Sequence, residues 1–466
     1  MLDLFTQLDW AVNVYTMDHR GTGRSTLLDC VAAQSVTTGS PRGQDFDPAE
    51  VPACAQALEN EYGNLASFST TSAATDLVNF ISKFTNGATT IVYGTSYGTT
   101  LVERMMHLDP PEVITGYVLD GIATTSGAPA DKFEYFSTGD IAFGEVGGRF
   151  MALCSQDRTC SRHFKKPNTL PTTLRRLLAD FDKNPNSTCA SLMTTGKGME
   201  NLSPSHALSY TLGSMLMDSE VRKLIPPMVY RLKRCQTMDV NVLSQFITSF
   251  NGFSDEFGED MAFYSPILYY LIVFSEGWER PQPSMMEMER RVKNSLISWS
   301  TALLVPLYCA FSKEKSKACN KFNYGNYEAN GIIYERDEYW NKTAKIPSQA
   351  SVLLLSSKLD AQTAHKYAEY LLETLDGDNK ELITFSTLVH GVTSSTPLDS
   401  SKGWTPTCGI KILASYIGNK GKLKGLDKSC MDEIPSFNMT LSSDYQSYFG
   451  TDDVYDGALS ASPSLQ

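Results

Sequence analysis

The stretch T-T-I-V-Y-G-T-S-Y-G, residues 89–98, joins a short apolar run to the pattern G-x-S-x-G. The run predicts a buried strand, and Thr100–Leu108 predicts a helix directly after it. A serine at such a sharp turn is lifted clear of the sheet edge, and the flanking glycines prevent backbone collisions. Ser96 is therefore a candidate nucleophile, and the backbone N–H of Tyr97 is a candidate oxyanion donor. The alternative is that Ser96 only caps the helix.

Strand and helix patterns alternate on both sides of this stretch. Upstream, the residues predict a strand at Trp10–Asp18 and a helix at Thr71–Phe84. Downstream they predict strands at Val113–Ala123, Ala350–Ser356 and Glu381–Phe385 and helices at Ala364–Leu375 and Cys408–Ile417. This alternation predicts an α/β fold with a mostly parallel sheet.

A long region without strand patterns divides the chain. Residues 126–346 carry amphipathic helical patterns, which predict a mainly helical cap insertion. We therefore expect residues 1–125 to form the first part of the sheet domain and residues 347–435 to complete it. The Ser-, Asp- and Gly-rich residues 436–466 predict a disordered tail.

A nucleophilic serine needs a general base, and chain order narrows the choice among 6 histidines. In hydrolases with this strand–turn–helix serine the order along the chain is Ser, acid, His. Only His365 and His390 can follow an acid in that order. His390 lies in a loop after the last predicted strand, whereas His365 begins a helix, so His390 is the candidate base.

Two aspartates could orient that base. Asp360 follows the strand Ala350–Ser356 and precedes His390, so its carboxylate could stabilise the imidazolium. Asp120 also lies near the carboxyl end of a predicted strand, although it could simply cap a turn with Gly121. The favoured triad is Ser96, Asp360 and His390, with Asp120 as the alternative acid.

Several further motifs point to one family. They are D-H-R-G-T-G-R-S (Asp18–Ser25), V-Y-G-T-S-Y-G-T (Val92–Thr99), V-L-D-G-I (Val118–Ile122) and S-S-K-L-D-A-Q-T (Ser356–Thr363). With these motifs the chain resembles the secreted prolyl and tripeptidyl aminopeptidases, which are serine α/β-hydrolases. Its segment Ser351–Cys430 also resembles their TAP-type C-terminal region. The resemblance covers about Trp10 to Cys430 and is weak in the insertion.

The resemblance implies an α/β-hydrolase sheet under a helical cap. It also implies a serine exopeptidase that releases short peptides or prolyl residues from a free N-terminus through an acyl-enzyme. Ser96, Asp360 and His390 would be its nucleophile, orienting acid and general base. Glu276 and Glu279, in F-S-E-G-W-E-R, could bind the substrate ammonium from one helix face, or they could form a solvated helix end.

One family feature is missing from this sequence. Members of the family carry a G-G-P-G-type loop before the D-x-R-G motif, and a backbone N–H of that loop completes the oxyanion hole. The residues before Asp18 contain no glycine. The sequence therefore predicts an N-terminally incomplete sheet, in which an upstream part with this loop and a signal peptide is absent.

Two other functions remain open at this stage. One is a carboxylesterase or lipase on the same fold, which an apolar cap surface would favour. The other is a truncated paralogue with impaired catalysis, although such a protein would have no physical need to keep all three triad residues.

The composition excludes several other classes of function. Lys and Arg total 40 against 52 Asp and Glu, for a net charge of −12. Nucleic-acid binding needs clustered cations, so no nucleic-acid partner is expected. No segment supplies the ~20 apolar residues of a membrane span, and no His/Asp cluster or G-x-x-x-x-G-K loop suggests a metal or a cofactor. The expected partner is a peptide substrate, and the oligomeric state is left open.

Cysteines and glycosylation sequons favour secretion. The 10 cysteines are even in number and closely spaced, which suits local disulfides in an oxidising compartment. Proximity predicts the pairs Cys30–Cys54, Cys154–Cys160, Cys309–Cys319 and Cys408–Cys430, which leaves Cys189–Cys235 as the fifth pair. N-x-S/T sequons lie at Asn186, Asn201, Asn341 and Asn438.

Overall fold

The computed structural model describes residues 2–37, 39–43, 45–129, 133–196, 198–253, 263–396 and 406–460. Its strands are β1 (Thr90–Ser96), β2 (Ile114–Ile122), β3 (Ser351–Ser357) and β4 (Lys380–Phe385). Its α-helices are α1 (Leu2–Gln7), α2 (Val51–Tyr62), α3 (Thr70–Phe84), α4 (Tyr97–Met105), α5 (Gly139–Leu153), α6 (Arg158–Ser161), α7 (Leu170–Lys183), α8 (Thr188–Leu192), α9 (Pro204–Leu216), α10 (Ile225–Arg234), α11 (Thr237–Phe253), α12 (Pro266–Glu276), α13 (Met285–Ser295), α14 (Val305–Ser312), α15 (His365–Thr374), α16 (Val392–Ser395), α17 (Cys408–Gly418) and α18 (Ser443–Gln446).

The strands form a parallel sheet in the order β1-β2-β3-β4. Thr95 lies beside Asp120, which in turn lies beside Leu355 of β3. Helices connect the strands, as parallel pairing requires. The predicted α/β class is confirmed at this level, and all carboxyl ends of the strands meet at one edge.

Helices cover both faces of this sheet, because apolar side chains point alternately to the two faces along each strand. Tyr117, Leu119 and Leu354 point to one face, in an apolar cluster that includes residues of α3, α4 and α15. Val118 and Leu353 point to the other face, in a cluster that includes residues of α17. The strands are therefore buried on both sides, which is typical of parallel sheets.

The prediction of a strand at Trp10–Asp18 is wrong. The segment has no regular structure, and Trp10 and Tyr15 are 62% and 51% exposed. The ring of Tyr15 packs against Phe80 of α3, with the ring centroids 5.4 Å apart. Aromatic and β-branched residues favour a pleated surface, but a strand forms only where a neighbour supplies its hydrogen bonds. Among the described residues, β1 pairs with β2 alone.

The chain divides into two compact units. The first comprises Met1–Thr138, Ala262–Met288 and Thr301–Pro435, and it contains the sheet. The second comprises Gly139–Met261, Glu289–Ser300 and Ser436–Gln466. Residues 262–288 and 301–346, which lie within the predicted cap insertion, thus group with the sheet.

The second unit is helical where it is described, and it includes part of the predicted tail. Phe449 is fully buried, and its ring stacks on Phe246 of α11 with the centroids 4.6 Å apart. The guanidinium of Arg231 donates to the carbonyl oxygen of Val454 at 2.6 Å. Residues 436–460 therefore pack within this unit, although their composition favours disorder. Residues 461–466 lie outside the described residues.

All five predicted disulfides are confirmed. Their Cα–Cα distances run from 5.1 to 6.1 Å for Cys30–Cys54, Cys154–Cys160, Cys189–Cys235, Cys309–Cys319 and Cys408–Cys430. Disulfides in this number are typical of proteins from oxidising compartments, so an extracellular location fits the structure. Among the described residues, no helix has both the length and the apolarity to cross a membrane.

Candidate active site

Ser96 lies on a strained turn between β1 and α4. Its φ is +56° and its ψ is −127°, a backbone conformation that L-residues rarely adopt. A Cβ atom on Gly94 would lie 2.3 Å from the carbonyl oxygen of Gly98, so this position requires glycine. Gly94 thus allows a turn that a larger residue would obstruct, whereas a Cβ atom on Gly98 would have nothing within 4 Å.

The parallel sheet brings the predicted site residues to one edge. Ser96 ends β1, and the bulge beside it in β2 contains Gly121. Asp360 follows β3, and His390 follows β4. Because the carboxyl ends of parallel strands share an edge, Asp360 and His390 meet there through a hydrogen bond. Ser96 lies at the same edge, but among the described residues Nε2 of His390 has no hydrogen-bond partner, so the structure does not join Ser96 to His390 by a hydrogen bond.

Asp360 holds the imidazole of His390. The Nδ1 atom of His390 donates to Oδ2 of Asp360 at 2.8 Å, and Asp360 is 1% exposed. The backbone N–H groups of Gln362 and Thr363 donate to Oδ1 of Asp360 at 2.9 and 3.0 Å. The hydroxyl of Thr363 donates to Oδ2 at 2.7 Å and lies 3.0 Å from Nδ1 of His390. The carboxylate is therefore fixed from several sides.

This arrangement leaves the other ring nitrogen available for proton transfer. Nε2 of His390 is buried and has no hydrogen-bond partner among the described residues. Burial disfavours the charged ring, but the hydrogen bond and the negative charge of Asp360 outweigh it, so the pKa of His390 lies above its ordinary value of 6.5. With the Nδ1 proton committed to Asp360, Nε2 can accept a proton from a hydroxyl.

Gly121 provides the space that this ring occupies. Its φ is +64°, and a Cβ atom there would lie 2.7 Å from Cε1 and 2.9 Å from Nδ1 of His390. The pairing register between β1 and β2 shifts at this point, between Thr95 and Ser96. The sequence patterns do not assign Gly121 to the site, although a glycine inside a strand pattern often marks a bulge or a close approach.

The alternative acid, Asp120, accepts from the backbone that follows His390. Nδ1 of His390 donates to Asp360 instead. The carboxyl of Asp120 accepts from the backbone N–H groups of Val392 and Thr393 at 2.7 and 2.9 Å. The acid partner of the imidazole in this structure is therefore Asp360.

The D-H-R-G segment packs beside the serine turn. Oη of Tyr97 lies 3.1 Å from Nε2 of His19 and 3.3 Å from Oγ1 of Thr70. The guanidinium of Arg20 makes two hydrogen bonds to the carboxylate of Asp76, at 2.7 and 2.6 Å. The contacts with His19 and Thr70 hold the side chain of Tyr97, whose backbone N–H lies at the positive end of α4.

The predicted pair Glu276 and Glu279 does not lie on one helix face, because α12 ends at Glu276. Glu276 accepts from Nη2 of Arg104 at 3.1 Å and from Oη of Tyr334 at 2.9 Å, and it is 6% exposed. Oε2 of Glu279 accepts from the hydroxyl of Ser137 at 2.9 Å. Both carboxylates thus already accept hydrogen bonds from other side chains of the protein. Arg104 and Tyr334, the partners of Glu276, are distant from it in sequence.

No protein-family model matches this sequence. No curated protein matches it significantly. The functional interpretation therefore rests on the sequence motifs and on the geometry of this site.

Proposed function

We propose that this protein is a serine hydrolase with an α/β-hydrolase fold, in which Ser96, His390 and Asp360 form the catalytic triad. The observation that carries the proposal is the 2.8 Å hydrogen bond between His390 and Asp360, at the sheet edge where β1 ends in Ser96. The strained turn at Ser96 adds support, since such strain persists mostly at functional sites.

The residues would act in two steps. Oγ of Ser96 attacks the scissile carbonyl carbon while Nε2 of His390 takes the hydroxyl proton. The backbone N–H of Tyr97 stabilises the resulting oxyanion. His390 then gives that proton to the leaving group, and an acyl-enzyme remains on Ser96. Water, deprotonated by His390, releases the acyl group and restores the serine.

For the substrate we propose a peptide with a free N-terminus, from which short peptides or prolyl residues are released. The sequence motifs around Asp18–Ser25 and Ser356–Thr363 support this choice through their resemblance to prolyl and tripeptidyl aminopeptidases. One observation favours an esterase or lipase as the second candidate. Glu276, the predicted ammonium ligand, is already engaged by Arg104 and Tyr334.

Paired substrates separate these two candidates. We would compare a tripeptidyl p-nitroanilide that has a free N-terminus with its N-acetylated form and with p-nitrophenyl butyrate. The peptidase proposal predicts cleavage of the free peptide and a large loss upon acetylation. Ester cleavage alone would favour the esterase. Ser96→Ala should abolish either activity, whereas Ser82→Ala, on the exposed side of α3, should not.

We further propose that the protein is secreted and N-glycosylated. The side chains of all four sequon asparagines are exposed, at Asn186, Asn201, Asn341 and Asn438. Treatment of protein expressed in a eukaryotic secretory host with a peptide N-glycosidase should lower its mass. An unchanged mass would refute the glycosylation.

A further inference from the structure

Asp120 is a buried carboxyl that the mechanism above does not use. It ends the regular part of β2, beside Thr95 of β1, and it is 0% exposed. Burying a carboxyl group without partners is costly. The hydrogen-bond partners of Asp120 therefore indicate which part of the site its carboxyl group holds in place.

Four hydrogen bonds converge on this carboxyl. Oδ1 accepts from the backbone N–H of Val392 at 2.7 Å. Oδ2 accepts from the backbone N–H and the hydroxyl of Thr393 at 2.9 and 2.7 Å, and from Oη of Tyr93 at 3.0 Å. Tyr93 and Thr393 also contact each other through their hydroxyl oxygens, at 2.6 Å. The carboxyl thus ties β2 to β1 and to the chain after β4.

The backbone that Asp120 holds is the one that carries the imidazole. Val392 and Thr393 begin α16, and only Gly391, with φ +72°, separates them from His390. The Cβ position of Gly121, next to Asp120, faces the ring of His390. One short segment of β2 therefore fixes the backbone of the His390 loop through Asp120 and borders the ring through Gly121.

We propose that Asp120 is a positioning residue for His390, complementary to Asp360. Asp360 orients the ring through Nδ1, whereas Asp120 fixes the backbone that presents the ring and places a second negative charge near it. This inference rests on the proposed function, because it assigns Asp120 a role in delivering the general base to Ser96.

The charges around the ring support this role. The acidic groups that influence His390 are Asp360, from the loop after β3, and Asp120, from β2. Burial lowers the pKa of the ring, and the two carboxylates raise it. Burial also raises the pKa of Asp120, but the donors from Val392, Thr393 and Tyr93 oppose that rise by favouring its charged form.

The test is the titration of His390 in the Asp120→Asn variant. Imidazole NMR signals would be followed against pH, with His390 assigned by the signal lost in His390→Gln. Removing the nearby charge should lower the pKa of His390 by about one unit. Labelling of Ser96 by a fluorophosphonate should slow by about 10²-fold, the effect of misplacing a reacting group by about 1 Å.

Tyr93→Phe is the matched control. It removes one donor to Asp120 and keeps the charge, so the pKa of His390 should not fall. If Asp120→Asn has a normal His390 titration, Asp120 has only a structural role and the inference is overturned. If Asp120→Asn does not fold, Thr393→Val replaces it. That variant should label slowly without a fall in the pKa of His390, and labelling at the wild-type rate would overturn the inference.

The two proposals fail in different ways. If the wild-type protein is not labelled at Ser96, the hydrolase function fails. A lowered pKa of His390 in Asp120→Asn would in that case still show that Asp120 places its charge near the His390 ring, since the titration does not depend on activity, but it would no longer assign that ring to Ser96.

Discussion

Substituting Gly121 by alanine should disable the site without contacting any substrate. Gly121 has φ +64°, and a Cβ atom there would lie 2.7 Å from Cε1 of His390 and 3.1 Å from Oγ1 of Thr363. Cε1 belongs to the imidazole itself, and Oγ1 of Thr363 lies 3.0 Å from Nδ1 of that ring. The substitution therefore adds backbone strain and also displaces the proposed base.

The size of each effect follows from these distances. Carbon atoms pack at about 3.5–4.0 Å, so a methyl group 2.7 Å from Cε1 must push the His390 ring away by about 0.8 Å or more. A misplacement near 1 Å costs about 10²-fold in rate. The left-handed conformation adds about 1–2 kcal/mol of strain for alanine, and overpacking adds about 1–3 kcal/mol.

The assay is fluorophosphonate labelling together with urea unfolding, and Gly63→Ala is the matched control. Gly63 also has φ +64°, but nothing lies within 4 Å of its Cβ position. The control should lose only the strain energy and should label at the wild-type rate. Gly121→Ala should lose more stability and label about 10²-fold more slowly. Equal labelling rates in the two variants would refute the argument that Gly121 makes room for His390.

Three further predictions follow from other contacts. Labelling of wild-type Ser96 should rise with pH through a midpoint above 6.5, because His390 must be neutral to accept a proton and its pKa is raised. Asp360→Asn should lower that midpoint and cut the labelling rate about 10⁴-fold. An unshifted midpoint in this variant would contradict the assignment of Asp360 as the acid. Glu276→Gln should destabilise the protein by about 1–3 kcal/mol in urea unfolding, because the 3%-exposed side chain of Arg104 then keeps only Asp337, at 3.3 Å, as a counter-charge. A loss below about 1 kcal/mol would place the pair in the range of surface ion pairs. Phe449→Ala should cost about 3–5 kcal/mol, since the ring is fully buried; an unchanged unfolding midpoint would favour the disorder that the composition of residues 436–466 suggests.

The sequence was most informative where chemistry and local structure coincide. The turn at Ser96 needs a glycine two residues before it, at Gly94, so the motif and the strand and helix beside it could be predicted together. Chain order narrowed the base to His365 and His390, and the loop position of His390 after a strand favoured it. The position of Asp360 after β3 favoured the acid that the structure places at 2.8 Å from Nδ1. Close spacing along the chain was enough to predict four of the disulfides, and the two remaining cysteines gave Cys189–Cys235.

Features that depend on tertiary neighbours were missed. Trp10–Asp18 has strand-like residues, but its structure depends on whether another strand pairs with it. Glu276 looked available beside Glu279, but Arg104 and Tyr334, which are distant in sequence, engage its carboxylate. The close approach of Gly121 to the His390 ring depends on the register of β1 against β2, which sequence patterns do not specify.

The central claim is that Ser96 is a nucleophile activated by His390 and Asp360, and covalent labelling tests it most directly. The folded protein would be treated with a fluorophosphonate and the adduct located by peptide mass spectrometry. We predict an adduct on Ser96 that is absent in Ser96→Ala and strongly slowed in His390→Gln. No adduct on the folded wild-type protein, or one that persists in Ser96→Ala, would contradict the account.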